Sequence, residues 1–125
     1  MDVTPLVAAD RQVIESYGRS SFRVSGVMHE GAILVFPETT RPWPGARTVA
    51  AMTLDDFAAV IARGGVEILL VGCGSRMVLF PATLRAALRR AGIVVDAMAT
   101  GAACRTYNVL LAEDRRVAAA LLPAA

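Results

Sequence analysis

Apolar and polar positions change period several times along the chain, and each change marks an element. Over residues 21–28, Phe22, Val24, Gly26 and Met28 alternate with Arg23, Ser25 and Val27, the period of a half-buried strand. His29-Glu30-Gly31 predicts the turn that follows, with Gly31 free to take a positive φ. The apolar, branched run 32–36 then predicts the return strand of a β-hairpin. Residues 13–17, closed by Gly18, read as a third strand beside them. Pro37 stops the hairpin. Arg41-Pro42-Trp43-Pro44-Gly45 lacks the continuous N–H donors of a ladder, so it reads as an irregular connector in which Trp43 is fixed between two prolines.

The period then switches to that of a helix. Thr53 offers an N-cap with Asp55 and Asp56 in the first turn, Leu54, Phe57, Ala58 and Ile61 fall on one stripe, and Gly64 is the stop. Residues 66–71 are almost uninterrupted apolar sequence, as in a strand covered on both faces, and end in Gly72-Cys73-Gly74. A short strand is expected over 77–80. Pro81 suits the first turn of a helix whose stripe is Leu84, Ala87, Leu88 and Ala91, with Arg85, Arg89 and Arg90 on a solvent face and Gly92 as its end. Residues 93–98 are the next buried strand. The helix between these two strong strands predicts that they run parallel and are joined by a right-handed crossover. Thr100 reads as the cap of a third helix running from 101 to about 113, and 117–122 as a closing strand or a short buried segment. The fold class is therefore α/β, with an antiparallel hairpin at the front and α/β units behind it. There is no internal repeat and no domain boundary; residues 1–12 read as an arm and 13–123 as one domain.

Composition narrows the function classes. The 125 residues are 55% apolar, enough for an ordinary core without a disulfide framework or a structural metal. No apolar run approaches the ~20 residues of a spanning helix. The first fifteen residues hold Asp2, Asp10 and Glu15 and no unbroken apolar block, which predicts no targeting signal and a cytoplasmic location. The formal charge of +2 is too small, and its arginines too scattered, for a nucleic-acid footprint. Cys73 and Cys104, with His29 the only histidine, have no metal-ligand spacing and read as free thiols.

In open α/β sheets ligands sit beyond the carboxyl ends of parallel strands. Two such ends carry small residues here, Gly72-Cys73-Gly74-Ser75 and Ala99-Thr100-Gly101-Ala102. If the strands are adjacent, these loops line one concavity with Thr100, Cys104 and Arg105, suited to a small anion or carboxylate. The candidate ligand-binding residues are Gly72, Cys73, Gly74, Thr100, Gly101 and Arg105. The structural reading of the same residues is a sharp turn, a helix cap and a surface salt bridge. Gly72-Cys73-Gly74 lacks the Lys and Ser/Thr of a phosphate loop. Cys104 near a helix start would be a nucleophile only with a base, and it shares a helix face with Tyr107 and Leu111 as a core thiol does. No catalytic residues, metal ligands or cofactor follow from the pattern. Trp43 is a candidate interface anchor or, equally, a plug over the sheet edge.

The stretch Thr100-Gly101-Ala102-Ala103-Cys104-Arg105-Thr106-Tyr107-Asn108-Val109-Leu110-Leu111, with Arg115-Arg116-Val117 and the alanine-rich run after it, resembles a family of small proteins largely without assigned function. That family includes mitochondrial complex I assembly factor three and the adipogenesis-associated domain protein. Tyr17-Gly18, Phe22 to Gly26, Pro42-Trp43-Pro44 and the Gly-x-Gly after the central strand extend the resemblance over about residues 13–123. It implies a single three-layer α/β domain with a mixed sheet and no established enzymatic activity. The family usually has Gly-Thr-Gly where this chain has Gly72-Cys73-Gly74. Three functions are set against one another: a non-catalytic binding or assembly module with a protein partner, a small-molecule site at the two strand ends, and a homodimer formed through the hairpin edge or the Trp43 connector.

Overall fold

A computed structural model describes residues 10–45 and 48–124; most of the expected arm lies outside them. Among the described residues, strands and α-helices follow in the order β1 (Ile14–Tyr17), β2 (Ser21–Val24), β3 (Val27–Glu30), β4 (Ile33–Val35), β5 (Thr40–Pro42), α1 (Ala58–Arg63), β6 (Ile68–Gly72), α2 (Ala82–Arg90), β7 (Val94–Met98), α3 (Thr100–Ala112) and β8 (Val117–Leu121). The strands form an antiparallel sheet β1-β2-β3 and a mixed sheet β5-β4-β8-β6-β7. β6 runs parallel to β7 and to β8, while β4 runs antiparallel to β8 and β5.

Alternation along the mixed sheet sorts its side chains into two cores. Leu34, Leu69, Val71, Val95, Ala97, Ala118 and Ala120 face α1 and α2 together with Trp43, Phe57, Val60, Leu84 and Leu88. Ile33, Val35, Leu70, Val117, Ala119 and Leu121 face Cys104, Tyr107 and Leu111 of α3 and Phe22 and Val24 of the small sheet. The molecule thus has three layers, with β8 buried along its whole length in the middle one.

Several elements differ from the pattern-based expectation. The expected strand over 21–28 is itself the hairpin: Ser25 and Gly26 take φ of 44° and 85° and pair Val24 with Val27, so His29 lies in β3 rather than in a turn. Two successive positive φ values match the twist of a tight hairpin, and Gly26 takes its value without strain. Residues 32–36 consequently leave that hairpin, and β4 joins the larger sheet. The proline-rich connector supplies β5, an edge strand in which Pro42 costs no interior ladder bond. Residues 77–80 form no strand, and Met77, Val78 and Leu79 are exposed. The helix after Thr53 begins as a 3₁₀ turn over Leu54–Phe57, secured by the Thr53 N–H donating to Asp56 Oδ2 at 2.8 Å. Its tighter pitch shifts the stripe, so Phe57 and Val60 are buried while Leu54 and Ile61 are exposed. Arg85 does not lie free on a solvent face: its guanidinium sits 5.5 Å from the centre of the Phe80 ring and donates to the Val95 carbonyl at 2.6 Å.

The small sheet is fastened to α3 by one buried side chain. Asn108 accepts from the Ile14 N–H at 3.0 Å and donates to the Ile14 carbonyl at 2.8 Å, as a neighbouring strand would. Replacing Asn108 with Leu strands both Ile14 groups in the core, and unfolding free energy measured in urea should fall by about 2–4 kcal/mol.

Candidate functional site

The carboxyl ends of β6 and β7 do lie side by side, with Gly72 opposite Met98. What joins them is a closed hydrogen-bond lattice. The Cys73 N–H donates to Met98 O at 2.8 Å, the Thr100 N–H to Gly74 O at 2.9 Å, and the Leu122 N–H to Gly72 O at 3.0 Å. At its centre the Thr100 hydroxyl accepts from the Gly74 N–H at 2.9 Å and donates to Leu122 O at 2.7 Å. Thr100 is fully buried and is the first residue of α3; Ala99 occupies the cap position. The expectation of a Thr100 cap is therefore corrected. Its hydroxyl ties three chain segments together instead, satisfying groups that the loop after β6 and the end of β8 would otherwise leave buried and unpaired.

Close approach is what the glycines provide here. A Cβ on Gly72 would stand 2.9 Å from both Leu121 Cδ2 and Thr100 Oγ1, and one on Gly101 2.7 Å from Tyr17 Cζ. The Tyr17 ring lies over Gly101, and Arg105 Nη1 donates to the Tyr17 hydroxyl at 3.4 Å on the exposed side of α3. Gly72, Cys73, Gly74 and Thr100 are thus brought together, while Gly101 and Arg105 meet at Tyr17.

Thr100 and Cys104 are sealed from solvent, so they do not line an open concavity. Burial pushes the Cys104 thiol up to about 12, against a weaker opposing pull from Arg105, which keeps it protonated and unreactive at neutral pH. A cavity of about 340 Å³ does open at this end, lined by Val49, Cys73, Gly74, Ser75, Val78 and Leu122 among others. The Cys73 Sγ lies 3.7 Å from the carbonyls of Val71 and Val78. Val49, Val78 and Leu122 carry no signal in the sequence that would have marked them. Trp43 is buried at 3% exposure, tilted against Phe57 with ring centres 5.5 Å apart, and its Nε1 donates to Asp56 O at 2.6 Å. The indole is part of the core on this side of the mixed sheet.

A larger groove, about 530 Å³, lies at the opposite end of the sheet among Arg11, Glu38, Arg63, Asp114, Arg115 and Arg116. Arg11 pairs with Asp114 at 2.8 Å, Arg63 with Glu38, and Arg116 with Glu67 at 3.0 Å. The guanidinium of Arg63 holds the Glu38 carboxyl below its ordinary range. These partners come from distant segments, which is why the sequence did not group them. The Tyr107 hydroxyl is buried without a hydrogen-bond partner, and burial, with a smaller push from Glu38, raises its pKa. Among the described residues no three His, Cys, Asp or Glu side chains are placed to hold a metal ion. No described helix is long and apolar enough to cross a membrane.

The protein family described as "protein of unknown function (DUF498/DUF598)" matches residues 14–122. An uncharacterised protein of Rhodobacter capsulatus is 41% identical over 111 residues, which cover 88% of this chain and 83% of that protein. NADH dehydrogenase [ubiquinone] 1 alpha subcomplex assembly factor 3 of Xenopus tropicalis is 30% identical over 118 residues, covering 93% of this chain and 63% of the assembly factor. The chain thus spans just under two thirds of that relative's length. A crystal structure of a Bordetella parapertussis protein superposes with a TM-score of 0.83 at 37% identity, covering 95% of this chain and 99% of that one.

Two measurements probe the lattice and the thiol. Thr100→Val keeps the shape but removes both Oγ1 bonds, and should lower stability by about 2–3 kcal/mol, with Thr100→Ser retaining most of it. Because the Cys104 pKa rises from 9.0 to about 12, the contribution of its protonated form is complete below pH 9.0 and lost as pH climbs toward 12. Denaturation across that window should show a shallower alkaline loss in Cys104→Ala than in the unmodified chain.

Proposed function

The chain belongs to the DUF498/DUF598 family, and from that premise we propose that it is a non-catalytic, protein-binding assembly module that assists a respiratory or other membrane complex from the cytoplasmic side. One observation carries the reading: at the strand ends, where an α/β sheet would place a substrate, the hydrogen bonds of Thr100 tie three chain segments together, and Thr100 and Cys104 are buried. The polar groups of Gly72, Gly74 and Thr100 are paired inside the fold, which supports a reading in which surfaces and edges are the working parts. The relatives named as assembly factors of NADH dehydrogenase support this direction. Deleting the gene in its native cell should lower the amount of assembled NADH dehydrogenase on native gels while leaving transcription of its subunits unchanged. Normal assembly in the deletion strain overturns the proposal.

A second reading rests on the cavity of about 340 Å³ beside Cys73 and Gly74, a volume within the range of small-ligand sites. It takes a small anion or metabolite at the strand ends. Titration with a metabolite set that shifts the Cys73 and Gly74 amide resonances supports it, and unchanged spectra remove it.

A further inference from the structure

We propose that the outer edge of β7 receives an extended, acidic segment of a partner protein, which adds to the mixed sheet as a further strand; this rests on the protein-binding reading above. β7 ends the order β5-β4-β8-β6-β7, so no described strand lies beyond it. The direction of its free groups follows from the ladder. The Val94 N–H donates to Glu67 O and the Met98 carbonyl accepts from the Cys73 N–H, so Val94, Asp96 and Met98 turn their backbone groups toward β6. Successive residues of a strand alternate, and Val95 and Ala97 therefore direct N–H and C=O outward.

The opposite edge is poorly suited to the same use, because β5 has three residues and ends in Pro42. β7 has five residues, and Val95 and Ala97 are anchored in the core facing α2. Arg85 protects it: its guanidinium donates to the Val95 carbonyl at 2.6 Å while stacked over Phe80. A charged group on an open edge deters indiscriminate pairing.

Charge selects the partner. α2 carries Arg85, Arg89 and Arg90 with no acidic residue, and none of the three has an ion pair among the described residues. Arg89 follows Arg85 by four residues, so it lies in the same row of α2 and is exposed there. Asp96 alternates with Val95 and Ala97 and so faces the other side of the sheet. A strand whose alternate residues are Asp or Glu meets the outward groups of Val95 and Ala97 with its backbone and the arginine row with its carboxylates. A lysine-bearing strand meets repulsion.

The test uses the whole chain and two short strand-forming peptides that differ only in glutamate or lysine at alternate positions. The glutamate peptide should slow amide exchange at Val95 and Ala97 and bind at least about tenfold more tightly than the lysine peptide. Arg89→Glu, at a side chain with no ion pair among the described residues, should reverse the preference even if Arg85→Glu impairs folding. Unchanged exchange at Val95 and Ala97, equal binding of both peptides, or protection that grows with protein concentration alone, as a second copy would give, overturns the proposal. If Arg89→Glu leaves NADH dehydrogenase assembly intact in cells where deletion abolishes it, the edge is wrong and the assembly role stands.

Discussion

A strand with no polar face has only one stable place, the middle of a sheet covered on both sides. β8 is such a strand: all five residues from Val117 to Leu121 are buried, and three are alanines. It lies between β4 and β6 in the mixed sheet, so the antiparallel and parallel parts of that sheet meet only when this segment slots between them. That one requirement brings the antiparallel front of the chain against the parallel units behind it. The small side chains on its two faces let α3 pack closely on one side and leave room for the larger Trp43, Phe57 and Leu88 on the other.

The same insertion determines what happens at the strand ends. Once Leu122 emerges beside Gly72, its carbonyl needs a donor in a place without water, and the Thr100 hydroxyl supplies it while accepting from Gly74. The chain's own polar groups fill the space around Thr100, and the cavity beside Cys73 and Gly74 opens next to it. Among the described residues, open polarity is found in the arginine–carboxylate groove at the far end, where most charges are already paired, and along the outward backbone of β7, where the Arg85 guanidinium stands guard. Buried groups that already have partners hold the fold together, while groups whose partners are displaceable remain available for recognition.

Much of the back half was legible because its signals are local and strong. The apolar runs that became β6 and β7, the Leu84–Leu88 stripe of α2 and the breaks at Gly64 and Gly92 each follow from the burial or backbone freedom of nearby residues. The front half was less legible. Alternation continues from Phe22 through Met28, so it could not show that Ser25-Gly26 reverses the chain. The phase of α1 depended on a 3₁₀ turn, which the spacing of Leu54, Phe57 and Ile61 does not encode.

The sequence by itself determined the α/β class, the parallel pair and its helical crossover, since these depend on period and on Gly and Pro at fixed places. Only the tertiary structure decided the strand order, the closure at Thr100 and the roles of Asn108, Arg85 and Trp43. The physical reason is that a polar side chain is assigned by the nearest unsatisfied group in space. For Asn108 that group lies 94 positions away along the chain, beyond the reach of any local pattern.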